Sequence, residues 1–344
     1  MLHPWGSWRY GAGGDGPSFV NDGGGDLRTS IVVCTFNRVD WLPHCLASLL
    51  AQEPRPDEII VVDGPSVDGT RELLKEMERE GLVRLIEQHS LDGISAARNL
   101  GLAAATGDIV CFVDDDAIAE PGWLQAILDG YEDEEVGGVG GPVHHMDGRL
   151  CMGRNAVSVE GMWYDESRNE PLDGCYPVMV GCNMSFRRQP LIDAGGFDPY
   201  FKYHQDETDA CLGVLRLGYR IRYQENAVVR HEWCEGSYRK DMLRWYIRLR
   251  YLWGRNNSYL VRKHFGSMVP FSRYCGNRVI AFVSKRRLVT ESPGEKMRTD
   301  PRLPPFLTYV GLLSEACGLV QGWRDGRQER LNGLRPPEPL QDLA

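Results

Sequence analysis

The chain has 344 residues, a formal net charge of -9, an isoelectric point near 5.5 and 42% hydrophobic residues. That supplies a sizeable core for one large or two modest domains. The acidic balance excludes a general nucleic-acid binder, whose phosphate contacts call for a broad basic surface, so a phosphate-bearing ligand needs local help.

Residues 1 to 26 are rich in Gly and Asp and hold no basic segment leading into an apolar run. They do not read as a secretory signal, and a cytoplasmic address is expected. GAGGDG at 11 to 16 follows no strand and opens no helical pattern, so a dinucleotide loop, and with it a dehydrogenase, is disfavoured. Residues 1–28 read as a flexible Gly-rich arm. From Ser30 the pattern changes to SIVVCTF, a helical stretch from Asp40 to Ala51, EIIVVDG, a helix from Thr70 to Glu80, VRLIEQ, a helix from Ile94 to Ala105, and IVCFVDDD. Apolar strands alternating with helices predict an α/β fold whose mostly parallel central sheet is covered on both faces. Ligands bind such sheets beyond the carboxyl ends of the strands.

A helix then runs from Pro121 to about Tyr131, and VGGVGGP reads as a strand where another backbone comes close. Residues 144 to 176 have no strong period; this long, aromatic-bearing insertion is assigned to acceptor recognition, with an ordinary surface loop as the alternative. Regular pattern resumes with VMVGCNMSFRR, a short helix to Gly195, a helix from Asp206 to Leu217, and the strands YRIRY and AVVRHEW.

From Tyr238 onward Arg and Lys alternate with Trp and Tyr. A helical extension over 237–323 whose aromatic side packs on the preceding domain is expected; the alternative is peripheral contact with an anionic inner membrane surface. The run from Leu303 to Trp323 is broken by Pro304, Pro305 and Glu315, so no spanning helix is supported. Residues 324–344 are charged and Pro-rich and are expected to be partly disordered. The ten cysteines form no CxxC pair, and Cys34, Cys45, Cys111, Cys182 and Cys211 read as small buried thiols rather than disulfides or a thiolate zinc site.

Three segments could carry chemistry. In VDDDA at 113–117, alternation along a strand sends Asp114 and Asp116 to one side and Asp115 to the other. Two carboxylates in one small volume call for a cation between them, and Mg²⁺ or Mn²⁺ would bind them together with substrate phosphates. A solvated turn capping the next helix is the plainer reading, but it needs fewer aspartates. Asp63 ends the second strand, where its carboxylate could meet a base N–H, whereas Asp68 with Thr70 reads as a helix cap. Asp206, Glu207 and Asp209 crowd the first turn of a helix, where the macrodipole favours acids; a surplus carboxylate there could serve as a general base. His231, a lone histidine near a strand end, more often plays a structural part.

In this order the segments IVVCTFNR, EIIVVDGPSVDGT, ISAARNLGLAAATGDIVCFVDDDA, GCNMSFRR with GGFDPYF, and DETDACLGVLRLGYRI with VVRH resemble the family 2 glycosyltransferases of the GT-A fold. The resemblance implies a catalytic domain at 29–236, divided into a nucleotide-binding half (29–120) and an acceptor half (121–236). It implies inverting, metal-assisted transfer of a sugar from a nucleoside-diphosphate sugar to an acceptor hydroxyl on a glycan or lipid-linked saccharide. It places Thr35, Asn37 and Arg38 at the nucleoside, Asp63 at the base, and Arg98 near the nucleotide. The family's DXD motif falls on Asp114, Asp115 and Asp116: Asp114 and Asp115 would face ribose and diphosphate, while Asp116 ligates the metal with Asp114 and His231. Gly181 and Asn183 match a segment beside the donor sugar. Glu207 aligns with the family's base, with Asp206 as a substitute because the usual Glu-Asp order is reversed here. A second aspartate common after the second strand is replaced by Gly64. Two alternatives remain at this stage: a nucleotidyltransferase or sugar-nucleotide pyrophosphorylase, which would show a basic glycine loop after the first strand, and a non-catalytic sugar-nucleotide-binding protein.

Overall fold

The computed structural model describes residues 27–165, 174–232, 242–266, Ser272, Tyr274 and 306–326. The expected N-terminal arm up to residue 26, and the expected tail from 327 on, lie outside the described residues.

The predicted alternation is present as β1 (Thr29–Thr35), α1 (Leu42–Leu50), β2 (Glu58–Asp63), α2 (Thr70–Arg79), β3 (Arg84–Glu87), α3 (Ile94–Ala104), β4 (Ile109–Asp114), β5 (Ala117–Ala119) and α4 (Trp123–Asp129). Then come β6 (Val136–Gly140), β7 (Val143–His145), β8 (Leu150–Met152), β9 (Asn155–Val157), β10 (Trp163–Asp165), β11 (Tyr176–Val178), β12 (Asn183–Arg187), α5 (Arg188–Asp193), α6 (Asp206–Arg216), β13 (Arg220–Tyr223) and β14 (Val229–His231). Two long helices follow, α7 (Met242–Phe265) and α8 (Phe306–Asp325).

The central sheet has seven strands in the order β13-β6-β12-β4-β1-β2-β3. β1, β2 and β4 are mostly apolar because both faces are covered, whereas the edge strands β3 and β13 carry charged residues and are only partly buried. Ile31, Val33, Ile59, Val61, Cys111 and Val113 pack with α1 and α4, whereas Val32, Ile60, Val62, Val110 and Phe112 pack with α3, α6 and α7. β1 to β4 are mutually parallel where they pair, and β12 alone runs against its neighbours. That reversal sets the start of β12 beside the end of β4, with Asn183 opposite Val113.

A second sheet, β5-β14-β7-β8, stands at the same edge. Its register puts His231 opposite Ala117, immediately after the aspartates, and the Glu232 N–H donates to the Asp116 carbonyl at 3.1 Å. The insertion between β7 and β11 has no clear period because the strands among its described residues have three residues each, too few for an alternation of two to register. The glycines after Tyr131 do mark a close backbone approach: a Cβ on Gly141 would lie 2.1 Å from the Ala227 carbonyl oxygen.

α7 packs on the α6 side of the sheet through Leu260, Val261 and Phe265, and Phe265 stacks on Tyr176 at 5.4 Å. α8 lies along α7, joined by a buried Arg250–Glu315 ion pair and by Ser258 donating to the Leu319 carbonyl at 2.7 Å. Among the described residues no helix is long and apolar enough to cross a membrane.

Candidate active site

The carboxyl ends of β1 and β2 lie side by side, Thr35 opposite Asp63. Their following turns are stitched together by Asn37, whose backbone is left-handed (φ 54°). Its N–H donates to Ser66 Oγ at 2.8 Å and its side-chain oxygen accepts from the Val67 N–H at 2.8 Å. Asp63 is wholly enclosed: Ser66 Oγ donates to one carboxylate oxygen at 2.6 Å and Arg71 Nε to the other at 2.8 Å. The residue expected to meet the base therefore braces the β2–α2 turn. Gly64 has a steric reason, since a Cβ there would lie 3.1 Å from the Phe36 ring and 3.3 Å from Leu91. Phe36 remains 39% exposed at this edge, so an aromatic face stands where the chain lacks the second aspartate. The sequence signal for it was an exposed-type aromatic between two polar residues just past a strand end.

The three aspartates emerge one strand away. β4 ends at Asp114, and its carboxylate and that of Asp116 turn to the same imidazole: His231 Nε2 is 3.6 Å from Asp114 Oδ2 and 3.1 Å from Asp116 Oδ1. Asp115 points elsewhere, with its Oδ1 3.6 Å from Arg38 Nε, while Arg38 also reaches Asp116 at 3.3 Å. Asp114 and Asp116 thus share His231, while Asp115 and Asp116 share Arg38. Burial pushes the Asp115 carboxyl up to about 7, and the neighbouring Asp116 and Asp114 add to the rise. Burial also works to raise Asp114, but His231 and Arg98 overcome it and hold that carboxyl below the usual range. Burial alone would lower His231; the Asp114 and Asp116 carboxylates outweigh it and hold the imidazolium at about 10.

Arg98 links this cluster to the next. Buried on α3, it donates to Asp114 Oδ1 at 3.3 Å and to the Gly181 carbonyl at 2.9 Å, and it forms an ion pair with Asp206. Asn183 is also fully buried. It accepts from Trp123 Nε1 at 2.9 Å and donates to the Pro142 and Ala227 carbonyls at 3.1 and 2.8 Å. It ties β12 to the second sheet and lines no open surface.

The acidic turn of α6 divides by partner. Asp206, 2% exposed, belongs to Arg98. Asp209 turns to α7, where Lys263 Nζ lies at 2.9 Å and His264 Nε2 at 2.7 Å. Burial opposes its charge, yet the Lys263 ammonium and the hydrogen bond to His264, whose imidazole is itself held below its usual range by burial, keep its carboxyl down at about 2. Glu207 is the half-buried member of the turn. Burial, and then the Asp206 carboxylate beside it, raise its carboxyl well above the usual range, which makes it a group that takes up a proton readily.

A divalent ion fits the first cluster. Asp114 and His231 present ligand atoms within reach of one ion, and Asp116 meets the same imidazole at 3.1 Å; the carboxylate oxygens suit Mg²⁺ or Mn²⁺, and an imidazole bound to the ion would give up its proton. Cys182, read from the sequence as a plain buried thiol, is buried as expected, but it also belongs here. Its sulfur and ligand atoms of Asp114 and His231 all lie within 4.8 Å of one another. Nothing in its apolar sequence neighbourhood signalled this; the turn before β12 brings it in.

The sequence matches the model of glycosyl transferase family 2 over residues 30–195. A glucosyl-dolichyl phosphate glucuronosyltransferase of Haloferax volcanii is 30% identical over 230 residues, which cover 61% of this chain and 70% of that protein. A pre-mycofactocin glycosyltransferase of Mycobacterium tuberculosis is 29% identical over 189 residues, 52% of this chain and only 37% of its own length. Among solved structures, a mannosyltransferase from Pyrobaculum calidifontis in complex with GDP-Man and Mn²⁺ aligns over 87% of this chain and 88% of its own, with a TM-score of 0.52 and 18% identity. GalNAc-T7 with UDP, GalNAc and Mn²⁺ aligns over 69% of this chain and 50% of its own, with a TM-score of 0.52 and 16% identity. These likenesses establish the fold, a GT-A-type α/β sheet with a helical C-terminal part.

Proposed function

The chain belongs to glycosyltransferase family 2, and from that premise we propose that it transfers a sugar from a nucleoside-diphosphate sugar to an acceptor hydroxyl with inversion, assisted by a divalent metal. Membership makes it a transferase enzyme, and the dehydrogenase, pyrophosphorylase and non-catalytic alternatives fall away. The observation that carries the finer reading is the convergence of Asp114, Asp116 and His231 at the sheet edge, one guanidinium away from the acidic start of α6.

Asp114, Asp116 and His231 would hold Mg²⁺ or Mn²⁺. When bound, that ion offsets the charge gathering on the departing diphosphate. The exposed ring of Phe36 offers a stacking face for the base, and Thr35, Asn37 and Arg38 line the same edge. Asp63 contributes by fixing the turn through Ser66 and Arg71. Arg98 and Asp115 face the phosphate side of the cluster, and the Gly181 carbonyl keeps Arg98 in place. Glu207 withdraws the proton from the acceptor hydroxyl, whose oxygen then attacks the anomeric carbon as the bond to the diphosphate breaks. Asp206, committed to Arg98, is the less suited of the two carboxylates. The acceptor we propose is a glycan or lipid-linked saccharide, met at the insertion from 144 to 176, in glycolipid or cell-envelope glycan synthesis. The glucosyl-dolichyl phosphate relative supports that class. A cytoplasmic location, with peripheral contact at the inner membrane surface, suits such an acceptor.

Thermal unfolding with UDP or GDP, with and without Mn²⁺, tests this. A ligand at about 100 times its Kd raises stability by about 2.7 kcal/mol. The rise is expected only when nucleotide and metal are both present. Asp116→Ala should remain folded and lose both the metal-dependent rise and transfer; an unaltered response in that variant refutes the metal assignment.

A further inference from the structure

Immediately before Asp206, His204 and Gln205 both have left-handed backbone, with φ of 65° and 72°. Residues with side chains rarely adopt this conformation, and two in succession persist only where the surroundings impose it. α3 grips the chain just upstream. Asn99 exchanges two hydrogen bonds with the Phe197 backbone at 2.7 and 2.9 Å, Ser95 donates to the Phe201 carbonyl, and the Ile94 N–H donates to the Lys202 carbonyl at 3.3 Å.

The left-handed turn itself is held by α7. Asn256 Nδ2 donates to the carbonyls of Tyr203 at 2.6 Å and His204 at 3.1 Å. Gln205 Nε2 donates to Asn257 Oδ1 at 2.9 Å. Trp253, on the same face of α7 by its spacing, meets the His204 ring edge-on at 5.2 Å. Asn256 and Asn257 are 0% and 2% exposed. Two carbonyls converge on Asn256, so only an amide nitrogen suits that position; a carboxylate there would face two oxygens.

We propose that Asn256 and Asn257 are positioning residues for the general base. By fixing the backbone of 203–205 they set the direction in which α6 starts, and with it the aim of Glu207. The helical extension is then part of the catalytic apparatus. This inference rests on the reading of Glu207 as the base.

The test compares wild type with Asn256→Asp and Asn257→Ala in the full chain. It measures kcat for nucleoside-diphosphate release from a sugar nucleotide, its pH profile, UDP and GDP affinity with Mn²⁺, and amide hydrogen exchange over 204–209. Asn256→Asp is expected to lower kcat about tenfold or more and to move the acid limb of the profile, since small misplacements of a reacting group cost that much. Nucleotide Kd should stay within about twofold, and exchange over 204–209 should rise while that of β4 does not. Asn257→Ala, which removes one bond, should lower kcat about threefold. The proposal is overturned if Asn256→Asp keeps wild-type kcat and exchange, or if kcat and nucleotide affinity fall together. Should Asn256→Asp not fold, Asn257→Ala decides by the same criteria. If wild type neither binds a nucleoside diphosphate nor releases one, the proposed function fails, and exchange over 204–209 still decides whether α7 holds the turn.

Discussion

The chain has two acidic clusters that look alike as text, DDD at 114–116 and DETD at 206–209, and their surroundings give them different chemistry. The first ends a strand, and its carboxylates share Arg38, Arg98 and His231 without any one being sealed by a single partner. Such an arrangement accepts a further cation. The second opens a helix, and two of its members are held by buried partners from elsewhere in the chain, Asp206 by Arg98, which also reaches Asp114, and Asp209 by Lys263 and His264. What survives is one carboxyl, Glu207, with its proton affinity raised.

The sharpest way to break this contrast is Glu207→Gln, which should cut kcat about 10²- to 10³-fold while leaving nucleotide affinity intact. In wild type, kcat should rise with pH, because burial and Asp206 keep this carboxyl protonated above the usual carboxylate range and only its ionised form accepts a proton. The rise should vanish in the variant; if Asp206→Asn produces this behaviour instead, the base is Asp206.

Asp209 should act on stability and not on donor binding. Its folded carboxyl, held near 2 against an ordinary 3.8, adds stability that is complete above the unfolded value and is lost as pH falls from about 4 towards 2, an amount of about 2 kcal/mol. Asp209→Asn, which leaves Lys263 to Asp198 alone and removes the carboxylate from His264, is expected to cost about 2 kcal/mol at neutral pH and to flatten that acid limb in thermal unfolding. Wild-type stability in the variant would show that the pair is idle.

The smallest effect belongs to Cys182→Ser. Mn²⁺ affinity should move by less than about threefold, while Zn²⁺ or Cd²⁺ affinity, read by calorimetric titration, should fall about tenfold because soft ions prefer sulfur. Equal changes for hard and soft ions would remove the thiol from the centre.

The central sheet was legible because its strands are buried on both faces and its helices carry clear amphipathic spacing; β1, β2 and β4 start and stop close to the boundaries the sequence implies. Strand alternation predicts Asp114 and Asp116 on one side, and they do meet one imidazole, but the strand ends at Asp114 and it is the turn at 115 and 116 that brings Asp116 there. What could not be seen was whatever depends on partners distant in the chain. The enclosure of Asp63 requires Arg71 and Ser66 to fold back, and the burial of Asn183 requires β14 to arrive beside it. Cys182 joins the aspartates only because β12 is reversed, and a run of apolar residues carries no mark of strand direction. Likewise Asp209 resembled a dipole-favoured acid until α7 supplied Lys263 and His264.

Arg98 makes segments on either side of it hard to trade between relatives. The residue lies on α3, but the Gly181 carbonyl and Asp206 that it serves lie more than 80 residues later in the chain. A hybrid that joins this chain's residues before 120 to a relative's later segment would leave the buried Arg98 guanidinium with Asp114 alone unless the incoming piece brings an acid at the place of Asp206. A workable graft boundary therefore keeps α3, the turn before β12 and the start of α6 from one parent.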